Sequence, residues 1–220
     1  MKLVLASNNA KKLAELRGLF AALPIELVAQ GELGIVEAEE PHHTFVENAL
    51  AKARHAARAS GMAAIADDSG LCVDALGGAP GVASAHFARL ADAGGVDEPR
   101  EALRRRQDAA NNALLLQRLD GVAERRARFV STLVALRTAD DPEPLIAFGR
   151  WEAEVLRAPR GTGGFGYDPL VFIPALGASV AELNAATKNA SSHRALAAAQ
   201  MLDLMRASWL LLPLAGEGRG

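Results

Sequence analysis

A single cysteine, Cys72, in 220 residues rules out a disulfide framework and makes a reducing compartment the natural one. It sits inside an apolar run, where a buried, inert thiol is expected. Aromatic residues are scarce, 5% of the chain, so a place where two fall together stands out. No charge of one sign dominates. The formal net charge of -2 supplies neither the basic field of a nucleic-acid binder nor an acidic tail, and a phosphate ligand would have to be met by locally placed cations. Long apolar runs are missing as well: the N-terminal one stops at Ser7-Asn8-Asn9, far short of a signal-peptide core, and nothing approaches membrane-spanning length. The expectation is a soluble, cytoplasmic protein without a nucleic-acid or membrane partner. No repeat or low-complexity linker divides the sequence, and a hydrophobic share of 50% can bury one sizeable core, so a single domain is expected, with room for two lobes.

Residues 64–85 organise the rest. An apolar run too short for a helix ends in Asp67-Asp68, then Ser69 and Gly70. This predicts a buried strand that delivers acids to a sheet edge where the chain turns. Adjacent carboxylates repel, so the pair needs a cation or a proton nearby, unless both merely cap backbone donors. Upstream, residues 3–6 read as a first strand and Ser7-Asn8-Asn9 as the turn capping a helix with Leu13, Leu16, Leu19 and Phe20 on one face. Lys11 and Lys12 fall in its first turn, where cations oppose the dipole and a bound anion would be favoured by both. Solvated surface lysines are the alternative. A second strand at 23–30 leads to a loop crowded with Glu32, Glu37, Glu39 and Glu40. Thr44 and Glu47 then form a capping box that starts a helix. On it Asn48 and Lys52 share one face, opposite an alanine-rich one, and Gly61 ends it.

Past Gly81 the sequence turns polar, and residues 93–97 suit a mobile loop. Leucine spacing predicts a helix over 98–119, with Arg104, Arg105 and Arg106 on a solvated face, while 127–137 and 145–156 read as a long hairpin. Next, Gly161, Gly163, Gly164 and Gly166 surround Phe165 and Tyr167. Glycines let backbone approach a ligand closely, and an exposed aromatic among them can stack on a flat ring. The segment has neither a Walker lysine nor dinucleotide-fingerprint spacing; a tight loop with packed aromatics is the other reading. Ser192-His193-Arg194 opens a last amphipathic helix carrying Leu196, Met201, Leu202 and Met205, with donors and positive charge at its start. Residues 216–220 read as a frayed end.

Together these segments resemble the inosine triphosphate pyrophosphatase family, also called the Ham1 family, over almost the full length and in the same order. The family's Thr/Ser-x-Asn-x-x-Lys stands at Ser7 to Lys12, its Phe-x-Glu-Asn-Ala at Phe45 to Ala49, and its Ala-Asp-Asp-Ser-Gly-Leu at Ala66 to Leu71. Its Gly-Gly-Phe-Gly-Tyr-Asp-Pro runs from Gly163 to Pro169 and its Ser-His-Arg from Ser192 to Arg194. The resemblance implies a mixed α/β fold: an elongated twisted sheet flanked by helices, forming one two-lobed domain over 1–220 with a nucleotide cleft between the lobes, and a homodimer. It implies hydrolysis of noncanonical purine nucleoside triphosphates (ITP, dITP, XTP) to monophosphate and pyrophosphate with Mg²⁺, cleansing the nucleotide pool. By the same resemblance Ser7, Asn8, Asn9, Ala10, Lys11 and Lys12 hold the triphosphate, and Glu39 and Asp68 the metal. Asp68 is also the general base, with Ser69 beside it, and Phe165, Gly166, Tyr167, Asp168, Lys188, His193 and Arg194 contact the nucleoside. His193 and Arg194, as donors, would suit the 6-carbonyl of hypoxanthine and xanthine and confront the amino group of adenine. The chain departs from the pattern after Pro80-Gly81, where Ala83 replaces an aromatic and His86 an arginine. A nucleotide-binding or sensing protein with slow turnover is the alternative from another class; a related Maf-type pyrophosphatase is argued against by Ser-His-Arg.

Overall fold

Alternation with period two builds the sheet. In β1 (Lys2–Leu5) Leu3 and Leu5 join one apolar cluster, while Val4, followed by Ala6, joins another, because successive side chains leave a strand on opposite faces. β1 pairs in parallel with both β2 (Glu26–Ala29) and β3 (Ala64–Val73). With β4 (Arg126–Leu136), β5 (Leu145–Val155), β6 (Val171–Ile173) and β7 (Ala178–Ser179) the order is β2-β1-β3-β4-β5-β6-β7. The β5/β6 and β6/β7 pairs are antiparallel, so the sheet is mixed. The helices are α1 (Ala10–Phe20), α2 (Phe45–Ser60), α3 (Arg100–Arg118), α4 (Ala185–Ser191) and α5 (His193–Ser208). This is a computed structural model describing residues 1–90 and 99–210. The loop expected at 93–97, the helix start expected at 98 and the frayed end expected at 216–220 lie outside the described residues. No helix among the described residues is long and apolar enough to cross a membrane.

The chain divides into two compact units, the first Met1–Asp67, Thr132–Gly149 and Arg194–Gly220, the second Asp68–Ser131 and Arg150–His193. In the first, Leu3, Leu5, Ile65 and Leu133 pack with Leu16 and Phe20 of α1 and with Ala197, Met201 and Met205 of α5. On the other face Val4, Ala64, Ala66 and Val134 meet Ala49, Ala53, Ala56 and Ala57 of α2, small side chains that let helix and sheet approach closely. In the second, Leu71, Val73, Phe129, Trp151 and Val155 pack with Leu115 of α3 and with Tyr167 and Leu170.

Local signals fix the helix ends. Asn9 caps α1, Thr44 accepts the Glu47 N–H at the start of α2, and Gly61 closes α2 with φ 67°. Asn48 and Lys52 do not lie opposite the alanine face: both are buried on the packed side. Each polar end is occupied, Asn48 by the backbone of His42 (3.0 and 3.2 Å) and Lys52 by Glu40 (2.9 Å), which ties the acidic loop to α2.

The expected turn after Asp67-Asp68 is absent. β3 runs unbroken for 10 residues through Asp67-Asp68-Ser69-Gly70 and is internal, between β1 and β4. Gly70 serves close approach: a Cβ there would collide with the Gly81 carbonyl and Ser84 Oγ, which also accepts the Leu71 N–H at 2.9 Å. Gly70→Ala should therefore displace the turn at Gly81–His86 and cost about 1 to 3 kcal/mol, as overpacking does. Urea unfolding reads it directly; a midpoint equal to the parent's would mean the turn yields freely.

Candidate functional site

In the first unit the elements converge on Asp67. Ile65 and Asp67 share the strand face that packs on α1 and α5. Lys12 Nζ lies 2.8 Å from Asp67 Oδ2, and Arg194 Nε and Nη2 reach the same oxygen at 3.3 and 3.2 Å. Arg194 Nη1 makes a short ion pair with Glu15. Asp67 and Arg194 are each only 2% exposed, so a buried acid–cation pair sits at the centre of the network, flanked by the half-buried Lys12 and Glu15. Burial pushes the Lys12 pKa down, Arg194 and Lys52 push the same way, and Asp67 opposes them; the outcome is below 10.5. For Arg194 burial also works against the charge, but Asp67 and then Glu15 outweigh it and raise the pKa.

The turn before α1 is built by its own side chains. Ser7 Oγ accepts the Asn9 N–H at 3.1 Å, and Asn9 Oδ1 accepts the Lys11 and Lys12 N–H groups at 3.1 and 3.2 Å. Asn8 Oδ1 is buried against Gly31, where a Cβ would come within 2.6 Å of it. Ala10 and Lys11 are exposed and Lys12 half-buried.

Asp68 follows Asp67 on β3, so its side chain leaves on the opposite face, the one that carries Ala64 and Ala66. The adjacent acids are thereby separated: Asp67 is compensated by two cations, while Asp68, 5% exposed, points elsewhere. In the second unit Ser69 is half-buried. The glycine-rich segment closes on Asp168, whose Oδ2 accepts the Phe165 N–H and Lys188 Nζ, both at 3.0 Å. Gly164 (φ 75°) admits no side chain, since a Cβ would collide with that carboxylate. Lys188, from α4, sits 4.6 Å from the centre of the Phe165 ring, a cation–π contact. Phe165 is half-buried, but Tyr167 is turned into the core, its hydroxyl donating to Ser84 O at 2.9 Å and its pKa raised by burial and by Asp108. The packed-aromatic reading thus describes Tyr167, and a stacking platform can come only from Phe165 of the two. His193 stacks on Phe129 with centroids 4.8 Å apart.

Arg194 places its cation at the start of α5, where Asp67 and Glu15 are its partners. Glu15 escaped the sequence reading because its partner lies 179 positions away. Of the two adjacent glutamates, Glu40 is paired with Lys52, while Glu39 is exposed and makes no ion pair among the described residues. No group of three or more His, Cys, Asp or Glu among the described residues could hold a metal ion. The departures Ala83 and His86 are both exposed, as are Arg104, Arg105 and Arg106, and the Cys72 thiol is buried with its pKa pushed up by that burial.

Comparison with known proteins gives this arrangement its relatives. The model of the Ham1 family matches residues 3–204. A dITP/XTP pyrophosphatase of Methylibium petroleiphilum is 74% identical over 214 residues, spanning 96% of this chain and 100% of that protein. One from Leptothrix cholodnii is 71% identical over 213 residues, again 96% and 100%. Among solved structures, a HAM1 protein from Coxiella burnetii superposes with a TM-score of 0.81 at 40% identity, covering 94% of this chain and 100% of that one. With the family model spanning nearly the whole chain and full-length relatives at this identity, the chain belongs to the Ham1 family.

Proposed function

We propose that the chain hydrolyses noncanonical purine nucleoside triphosphates, ITP, dITP and XTP, to the nucleoside monophosphate and pyrophosphate. The relatives' names support the substrate class. The structural observation that carries the reading is the division of roles between neighbouring acids: Asp67 is compensated by Lys12 and Arg194, and Asp68 is directed to the other face.

Hydrolysis adds one water across the anhydride between the α- and β-phosphates, so a base must take a proton from that water and cations must meet the phosphate charge. Asp68 is the base in this reading. Lys12, with Ser7, Asn8, Asn9, Ala10 and Lys11 in the turn beside it, receives the triphosphate, and Ser69, Phe165, Gly166, Asp168, Lys188 and His193 the nucleoside. Tyr167 and Arg194 are read with them as nucleoside contacts, Tyr167 anchored in the core through Ser84 and Arg194 through Asp67 and Glu15. Asp68 and Glu39 would hold Mg²⁺, which supplies charge neutralisation on the phosphate oxygens when bound. The donor chemistry fits: both are hard oxygen ligands, Glu40 is engaged by Lys52, and Mg²⁺ is ordinarily held by one or two carboxylates plus water and substrate phosphates.

The chain is read as one pyrophosphatase domain over 1–220, supported by the discontinuous course of its two units, between which β3, β4 and β5 each pass. A homodimer acting in the cytoplasm is proposed on the family resemblance. Pyrophosphate release with Mg²⁺ over a panel of ITP, XTP, dITP, GTP and ATP tests the reading. Preference for the first three is expected, and equal turnover of ATP, or none of ITP, would overturn it. Lys12→Ala should raise KM and lower kcat together, since a cation on the triphosphate serves ground and transition states alike. Exposed Lys11 should matter less. Equal, small effects of the two alanine substitutions would return both lysines to a surface role.

A further inference from the structure

α3 carries two adjacent side-chain pairs, Gln107 with Asn111 and Asp108 with Asn112, each four residues apart and so neighbours along the helix surface. They reach two different segments of the second unit. Gln107 donates to Ala88 O at 2.8 Å; Asn111 accepts the Ala88 N–H at 2.8 Å and donates to Ser84 O and Ala85 O at 3.2 and 3.1 Å. Asp108 Oδ2 accepts the Gly166 N–H at 2.9 Å, and Asn112 Nδ2 donates to Gly166 O at 2.9 Å. Both backbone polar groups of Gly166 are therefore gripped from one helix. Gly166 is the residue that needs it: its φ of 62° is open mainly to glycine, and glycine has the most conformational freedom to lose. The residue before it bears the Phe165 ring. The residue after it, Tyr167, donates to the same Ser84 carbonyl that Asn111 holds.

We propose that Asp108 and Asn112 are positioning residues for the nucleoside end of the substrate, setting the Phe165 ring by fixing the Gly166 backbone. The inference rests on the reading of residues 165–168 as the nucleoside platform. Neither side chain is assigned a contact with the reacting phosphates, so their loss belongs in KM for a nucleotide and not in the chemical step.

The test measures kcat and KM for ITP, the inhibition constant of inorganic tripolyphosphate, and thermal unfolding, in the parent, Phe165→Ala, Asp108→Leu, Asp108→Asn and Asn112→Asp. Asp108→Leu, of similar size but without an acceptor, should raise KM roughly 10-fold with kcat within about twofold. Asp108→Asn keeps an acceptor in place and should recover KM to within about threefold of the parent. Asn112→Asp preserves volume but turns a donor into a charge facing the Gly166 carbonyl, so it should resemble Asp108→Leu. Tripolyphosphate, which has no nucleoside, should bind all variants alike. If Phe165→Ala leaves KM unchanged, the platform reading itself falls. If Phe165→Ala raises KM while Asp108→Leu and Asn112→Asp do not, or if Asp108→Asn is as damaged as Asp108→Leu, the positioning inference falls and the platform reading stands. Should Asp108→Leu fail to fold, Asn112→Asp with its unchanged volume decides alone.

Discussion

Purified Asp68→Asn is expected to lose roughly 10²- to 10⁴-fold in kcat for pyrophosphate release from ITP, the usual effect of removing a positioned base. It should still unfold in urea near the parent's midpoint. The amide has the shape of the carboxylate but accepts no proton and offers no full charge to Mg²⁺. The strand around it is held by groups the substitution does not touch: Ile65 and Ala66 in the apolar clusters, and Leu71 through its N–H to Ser84. Activity and stability should therefore separate. Turnover close to the parent rate would remove Asp68 as the base, and a large fall in the urea midpoint would assign it a structural role.

What could be read from the sequence is what short-range chemistry decides. Asn9, Thr44 and Gly61 announce helix ends because each cap is made within a few residues, and the alternation through Leu3, Val4 and Leu5 shows which side chains share a face. Of the family motifs, residues 7–9 form the turn before α1 and 163–169 the segment between β5 and β6, while Phe45 to Ala49 opens α2 and Ala66 to Leu71 lies within β3. The stretch Asp67-Asp68-Ser69-Gly70 misled because its composition is that of a turn, while the reasons it is extended lie far off in sequence. Arg194, 127 positions away, compensates Asp67, and Ser84 with the Gly81 carbonyl makes Gly70 obligatory. Tyr167 and Phe165 are indistinguishable as aromatics among glycines; only the Ser84 carbonyl and the surrounding core decide that Tyr167 faces inward. Arg194 shows the same limit. A cation at a helix start signals that an anion must compensate it, but not whether that anion is a ligand or another part of the chain.

Asp67→Asn is expected to behave in the opposite way to Asp68→Asn, losing roughly 3 to 5 kcal/mol of stability, the scale on which breaking one side of a buried ion pair acts. A single oxygen, Asp67 Oδ2, collects Lys12 Nζ, Arg194 Nε and Arg194 Nη2. With a neutral amide there, the buried Arg194 and the half-buried Lys12 face each other, and Glu15 remains as the acid of the network, on Arg194. The Lys12 ammonium suffers most, because burial, Arg194 and Lys52 already push its pKa below 10.5 and Asp67 is what opposes them. In the parent, the unfolded chain binds more protons than the folded one between the lowered folded pKa and 10.5, so this contribution to stability rises with pH across that window. In Asp67→Asn the folded pKa falls further and the window opens at a lower pH. The stability difference between parent and variant should accordingly be largest while Lys12 is protonated in both, and narrow as pH rises from the variant's folded pKa to the parent's. Arg194 stays charged throughout and cannot produce that narrowing. Urea unfolding of both proteins at pH 7 and pH 9 checks the size and the sign. A difference below about 1 kcal/mol, the level of an exposed ion pair, would show that the cations find other compensation. A difference that widened with pH would contradict the role given to Lys12.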